Sequence, residues 1–289
     1  MKVRITCDST ADLSPELVEK YNIGVLPLHV IKDGVTYADG VDITPDDIYA
    51  HVAAGGAMTT TAAVNFEEYK DFFTEQKKGY DGLVHINISS GFSTCFQNAT
   101  LAAEELENVY AVNSLNLSTG TGHLAIDGAI MAAQGMEAKD IAARLNEMAP
   151  TLDVSFIHDT LKFLHLGGRC SGVAALGANL LGLKPCIQVK DGGMVVGKKY
   201  RGKSEVCIRK YMEDKLKGRD DLDLRRIFIT HSGIEDEIIE DSKKLVASIA
   251  PFEEILVTRA GCTVSNHCGP RTIGVLFYTK KKLNSLTEE

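Results

Sequence analysis

The feature that most constrains this chain is the alternation, through its first half, of short apolar runs with longer amphipathic segments. Residues 3–7 read as a strand, and Ser14-Pro15-Glu16 then opens a helix. Serine suits the N-cap, proline tolerates the first helical position, and an acid favours the positive end of the helix dipole. Thr44-Pro45-Asp46-Asp47 repeats that signal. Between the two, residues 30–37 contain Asp33-Gly34, a strong cue for a two-residue hairpin. Further strands are expected at 82–88 and 109–112, each followed by polar or small residues and then a helix. Such alternation predicts a mostly parallel sheet flanked by helices. Ligands of these sheets gather beyond the carboxyl ends of the strands, so the loops after Cys7, Ile88 and Val112 are where a site is expected.

The pattern changes near Thr151. A hairpin is expected around Asp191-Gly192-Gly193, with helices over 205–217 and 235–249 and strands at 226–230, 255–258 and 275–279. The chain has 289 residues, long enough for two domains. We expect an α/β domain over residues 1–150 and an α+β domain over 151–289. No glycine- or serine-rich linker separates them, which predicts close packing with a cleft between.

Composition removes several classes of function. The hydrophobic fraction of 44% and charged fraction of 24% are those of a globular protein. No apolar run approaches the roughly 20 residues that cross a bilayer. The start, MKVRITCDST, has no signal-peptide pattern, so a cytoplasmic location is expected. Seven cysteines with no CxxC fit neither a disulfide framework nor a zinc site, and read as small buried hydrophobes. Net charge is −8, and no Lys/Arg cluster is interleaved with aromatics. The run 280–282 reads as a solvated end, and no nucleic-acid partner is expected.

Several short strings could carry chemistry. Asp8-Ser9-Thr10 reads equally as a ligand-facing loop or as a turn capped by its own side chains. The hydroxyl run Thr59-Thr60-Thr61 supplies donors, or is simply loop composition. Ser89-Ser90-Gly91-Phe92-Ser93-Thr94 follows a strand and opens a helix, which makes it the best anion site among the strings, against a plain N-cap. Leu166-Gly167-Gly168-Arg169 has two glycines that let the backbone bend and aim Arg169, itself readable as a surface arginine. Arg201, at the end of a hairpin arm, suits a carboxylate or phosphate, or a solvated strand end. His267 precedes Cys268-Gly269-Pro270 and is expected in a fixed turn, as a hydrogen-bond donor and not a metal ligand. Ser93, His267 and Asp8 invite a triad. Ser93, however, is not in a Gly-x-Ser-x-Gly elbow, and neither a Walker A lysine nor Gly-x-Gly-x-x-Gly is present.

Taken in order, these strings resemble the DegV family, which includes the fatty-acid-binding subunits of bacterial fatty acid kinase. The resemblance runs through Asp8-Ser9-Thr10-Ala11-Asp12-Leu13, Thr59 to Thr61, Ser90-Gly91-Phe92-Ser93, Leu166-Gly167-Gly168-Arg169-Cys170-Ser171, Lys184-Pro185, Tyr200-Arg201-Gly202 and His267-Cys268-Gly269-Pro270. It implies two α/β domains with an acyl chain in a buried tunnel and its carboxylate at the domain junction. It implies that Thr61, Ser93 and His267 bond the carboxylate, with Arg169 and Arg201 near the mouth or on a partner-docking surface. It implies a non-catalytic subunit with no metal and no cofactor beyond the bound fatty acid. A separate ATP-dependent kinase would convert the acid to an acyl phosphate for phospholipid metabolism, and the ligand leaves room for transient membrane contact. The chain departs from the family pattern in three places. Thr-Ser-Gln becomes a threonine run, Thr94 stands where glycine is common, and Arg271 follows Gly269-Pro270.

The implied chemistry is physically coherent. Sixteen buried carbons contribute on the order of 10 kcal/mol before association costs, so hydroxyls need only orient the carboxylate. Small-residue segments at 124–133 and 173–183 could line a tunnel or form ordinary core. The alternatives at this level are a serine hydrolase or acyltransferase using Ser93 and His267, and a sensor of another small anion.

Overall fold

The computed structural model describes residues 1–170 and 183–280. Most of the segment 173–183, Ser171 and the lysines beyond Lys280 therefore lie outside the described residues. The first sheet has the order β2 (Ile23–Leu26), β1 (Val3–Asp8), β6 (Gly82–Asn87), β7 (Val109–Asn113), and every pairing in it is parallel. β6 is buried along its whole length, as expected for a strand covered on both faces. A second sheet runs β10 (Gly193–Arg201), β9 (Leu183–Lys190), β8 (Leu152–Ile157), β13 (Ile273–Thr279), β11 (Leu222–His231), β12 (Glu254–Arg259). It is antiparallel except for the edge pair β11–β12. A small antiparallel sheet, β4 (Val35–Ala38), β3 (His29–Lys32), β5 (Thr60–Ala62), stands apart from both.

Local chemistry sets these elements as the sequence implied. The helix Pro15–Lys20 is capped by Ser14, whose Oγ accepts from Leu17 N, and Thr44 forms a capping box with Asp47. Asp33-Gly34 and Asp191-Gly192 both have positive φ throughout the turn, the geometry that matches strand twist in a two-residue hairpin.

The helix Thr119–Ala133 packs against strands of both large sheets, and residues 119–129 are all buried. A helix apolar or small on every side belongs in a core. Gly122 is required there because a Cβ would press into the Ala11 carbonyl oxygen and Leu13. Leu124, Ala125 and Ile126 join a core that also takes in Phe156, Ile187, Phe228 and Leu276 from the second half. Residues 124–129 are thus core and not tunnel wall, and 130–133 run out toward the surface. All seven cysteines are buried and none is in a disulfide.

Candidate functional site

At the carboxyl end of β1, Asp8 is wholly buried and its carboxylate is occupied by the fold. Oδ1 accepts from Tyr69 OH at 2.7 Å and lies 3.1 Å from His85 Nε2. Oδ2 accepts from Asn87 Nδ2 and from the backbone N–H of Ile88 at 3.0 Å. Ser9 Oγ donates to Asp39 and accepts from Leu28 N. Of the three loops marked by the sequence, the first therefore braces the second, through the bond from Ile88 N to Asp8.

The bond from Ile88 sets the start of the loop 88–94. Ser89 Oγ donates to the Gly192 carbonyl at 2.7 Å, so the β9–β10 hairpin tip lies directly on this loop. A Cβ at Gly91 would collide with the same carbonyl, which explains the glycine. Ser93 Oγ then accepts from Cys95 N at 3.2 Å and lies 3.1 Å from Cys95 Sγ, closing the first turn of the helix Cys95–Glu104.

Ser93 lines a cavity whose walls are mostly apolar, among them Leu28, Ile88, Phe92, Leu117, Met194 and Val264. Its polar lining is Thr61, Ser93, Thr263 and His267, with Arg169 beside them. The small sheet resolves the threonine run by strand alternation. Thr61 faces the cavity and meets His267 Nε2 at 2.9 Å, Thr60 is exposed, and Thr59 Oγ1 bonds Asn266 Oδ1. A second cavity lies deeper, among Phe156, Thr230, Ala260 and Leu276, and shares Leu117, Val264 and Cys268 with the first. Its hydroxyls are taken up within the protein, as Ser118 donates to Asp12 and Thr230 pairs with Thr119 and Thr258.

His267 differs from expectation in one respect. It sits in the last turn of the helix Cys262–Cys268, not in the turn before Pro270. Gly269, at φ +73°, ends that helix, and a Cβ there would strike the Phe163 ring. Gly167 packs its backbone against His267 Nδ1, which has no hydrogen-bond partner. Burial, with a smaller push from Arg169, brings the imidazole down to about 4, so it is neutral at physiological pH. Gly168 takes a left-handed conformation at the C-cap of the helix Lys162–Gly167, and Arg169 Nη1 donates to the Gly167 carbonyl at 2.8 Å.

Two buried carboxylates hold the helix Cys262–Cys268 at its amino end. Asp12 Oδ1 accepts from Gly261 N at 2.7 Å, and Asp39 accepts from Cys262 N at 2.7 Å and Thr263 N at 3.1 Å. Asp12 also receives Ser118 Oγ at 2.5 Å. Burial pushes its carboxyl up to about 8, aided by neighbouring Asp39 and opposed by the bonds from Ser118 and Gly261.

Thr61, Ser93, His267 and Arg169 are thus brought to one cavity, whereas Arg201 is exposed at the end of β10 and does not line it. Sequence reading missed Thr263, Asp12 and Asp39 as parts of the site. The signal for Thr263 was its spacing, four residues before His267 on one helical face. Among the described residues, no cluster of metal-ligating side chains occurs and no helix is long and apolar enough to cross a membrane.

Fold and cavity together define a three-sheet α/β protein with a mostly apolar cavity whose polar lining is hydroxyls and a neutral imidazole, with Arg169 beside them. The family model described as "uncharacterised protein, DegV family" matches residues 2–280, and the chain belongs to the DegV family. A DegV domain-containing protein of Clostridium acetobutylicum is 30% identical over 284 residues, covering 96% of this chain and 99% of that one. The structure of a DegV family protein from Thermus thermophilus, described as binding fatty acid, superposes with a TM-score of 0.87 at 29% identity, covering 96% and 100% of the two chains. That of DegV from Bacillus subtilis, described as a fatty acid binding protein, gives 0.82 at 26% identity, covering 97% and 100%.

Proposed function

We propose that this protein binds a long-chain fatty acid in the paired cavities, carboxylate toward Thr61, Ser93 and His267, and performs no chemistry on it. The observation that carries the reading is the chamber itself, with apolar walls and hydroxyl and neutral imidazole groups gathered at one place. An acyl chain draws its affinity from buried methylenes, and a few oriented donors suffice for its head group. The description of the Thermus and Bacillus relatives as fatty-acid-binding supports the same ligand class.

The hydrolase alternative gains no support. His267 Nε2 faces Thr61, Ser93 Oγ is engaged with Cys95, and an imidazole at about 4 is a poor general base near neutrality.

The proposal extends to a partner. Between residues 160 and 204 the chain carries Lys162, Arg169, Lys184, Lys190, Lys198, Lys199, Arg201 and Lys203 against the single acid Asp191, in a protein of net charge −8. A basic stretch that includes the cavity's Arg169 suits an acidic partner surface. We assign that partner as an ATP-dependent kinase acting on the carboxylate in the cytoplasm. The proposal also treats residues 1–150 and 151–289 as two domains, supported by the allocation of β1–β7 to the first and β8–β13 to the second.

The test is to denature protein purified from a bacterial host, extract it with organic solvent, and identify the extract by mass spectrometry. One fatty acid per chain is expected. An empty extract, repeated after incubation with mixed fatty acids, would overturn the reading. Ser93→Ala is expected only to weaken ligand retention, and a turnover that it abolished would favour the hydrolase instead.

A further inference from the structure

The helix Cys262–Cys268 carries a polar atom that neither the fold nor the Thr61–Ser93–His267 group uses. Thr263 is buried, 5% exposed, and lines the front cavity. Thr263 is the second residue of the helix, where no helical carbonyl lies one turn back to take its hydroxyl, and its Oγ1 has no partner. A buried hydroxyl left unpaired is a penalty that folds avoid unless something else completes it. His267 Nδ1 is also unpaired, but the Gly167 backbone covers it, so it is not open to a ligand as Thr263 is.

Position follows from the helix. Thr263 precedes His267 by four residues, so the two share a face and their Cα atoms are about 6 Å apart along the axis. A carboxylate accepting hydrogen bonds of about 2.7 Å at each of its two oxygens spans a gap of this size. Thr263 is held still from behind, because Asp39 takes its backbone N–H and that of Cys262 while Asp12 takes that of Gly261.

We propose that Thr263 is a further ligand-binding residue, its Oγ–H donating to one oxygen of the carboxylate whose other oxygen Thr61, Ser93 and His267 approach, with Asp39 as its positioning residue. This rests on the fatty-acid reading, which the neutral-ligand control below separates from it. Delipidated protein would be titrated calorimetrically with laurate and with dodecan-1-ol, a neutral molecule of the same chain length. Thr263→Val, equal in shape, is expected to weaken laurate about tenfold and dodecanol less than twofold, and Thr263→Ser to restore laurate binding. Unchanged laurate affinity in Thr263→Val, or equal losses for the two ligands, would overturn the assignment while leaving the fatty-acid reading intact. If the parent protein bound neither ligand, the fatty-acid reading would fall and this assignment with it. Should Thr263→Val not fold, Asp39→Asn provides the second route, since it loosens Thr263 without touching the cavity wall. It is expected to weaken laurate more than dodecanol, and an equal effect on both would count against the positioning role.

Discussion

Two buried polar groups of this protein have opposite characters. Asp8 ends β1 with its carboxylate oxygens occupied by Tyr69, His85, Asn87 and Ile88 N. Thr263 and His267, on a short helix from the far end of the sequence, reach a cavity with an atom each left unpaired. Both are surrounded by apolar side chains, so burial alone does not distinguish scaffold from site. What distinguishes them is whether the fold consumes their hydrogen-bonding capacity.

The largest effect expected from this contrast is on stability against pH. Burial brings His123 down to about 3 and His158 and His267 to about 4, all from an ordinary 6.5. Below pH 6.5 the unfolded chain takes protons that the folded one refuses, so stability is lost as pH falls toward those values. Asp12, raised to about 8, acts with the opposite sign, since its contribution is full below 3.8 and is lost as pH rises through about 8. Three losses against one gain give a maximum near pH 6.5, a loss on the order of 4 kcal/mol by about pH 4.5, and a gentler decline on the alkaline side. Urea unfolding across pH measures this, and a maximum near pH 5 would contradict it.

Next in size is Asp8→Ala. Four donors lose their acceptor, and a cost of about 3–4 kcal/mol is expected, read as a drop in the urea midpoint together with loss of bound ligand. Thr61→Val addresses the other side of the contrast. Its unfolding free energy should change by less than about 1 kcal/mol, while ligand affinity falls by roughly tenfold. If Thr61→Val destabilised the protein as much as Asp8→Ala, the distinction between scaffold and site would fail. The smallest expected effect is that of Val264→Phe, in the wall common to both cavities. It should leave short acyl chains bound and exclude long ones, as measured by the length distribution of extracted ligand.

Much of this was legible in the sequence. The alternating first half, the two Asp-Gly hairpins and the serine and threonine caps each follow from chemistry confined to a few residues. Thr61, Ser93 and His267 were also legible, through motif strings and the family they resemble. Asp12 and Asp39 were not, because their partners lie 249 and 223 positions away and no local spacing encodes that distance. β5 was hidden by its length of three residues, and β8 went unassigned because a covered strand has no alternation to read. The helix bearing His267 was mistaken for a turn because Gly269-Pro270 is as good a signal for a helix stop as for a fixed loop.

The docking of the Gly192 carbonyl on Ser89 and Gly91 has a consequence for synthesis. The loop bearing Ser93 is completed by residues about a hundred positions later, and the cavity is closed by Val264 and His267 later still. During translation, Leu28, Ile88, Phe92 and Leu117 emerge long before the wall that will cover them. A nascent chain of this kind exposes the apolar walls of its cavity until the helix Cys262–Cys268 has been made. Those walls are therefore the surface that most needs protection while the protein is being born.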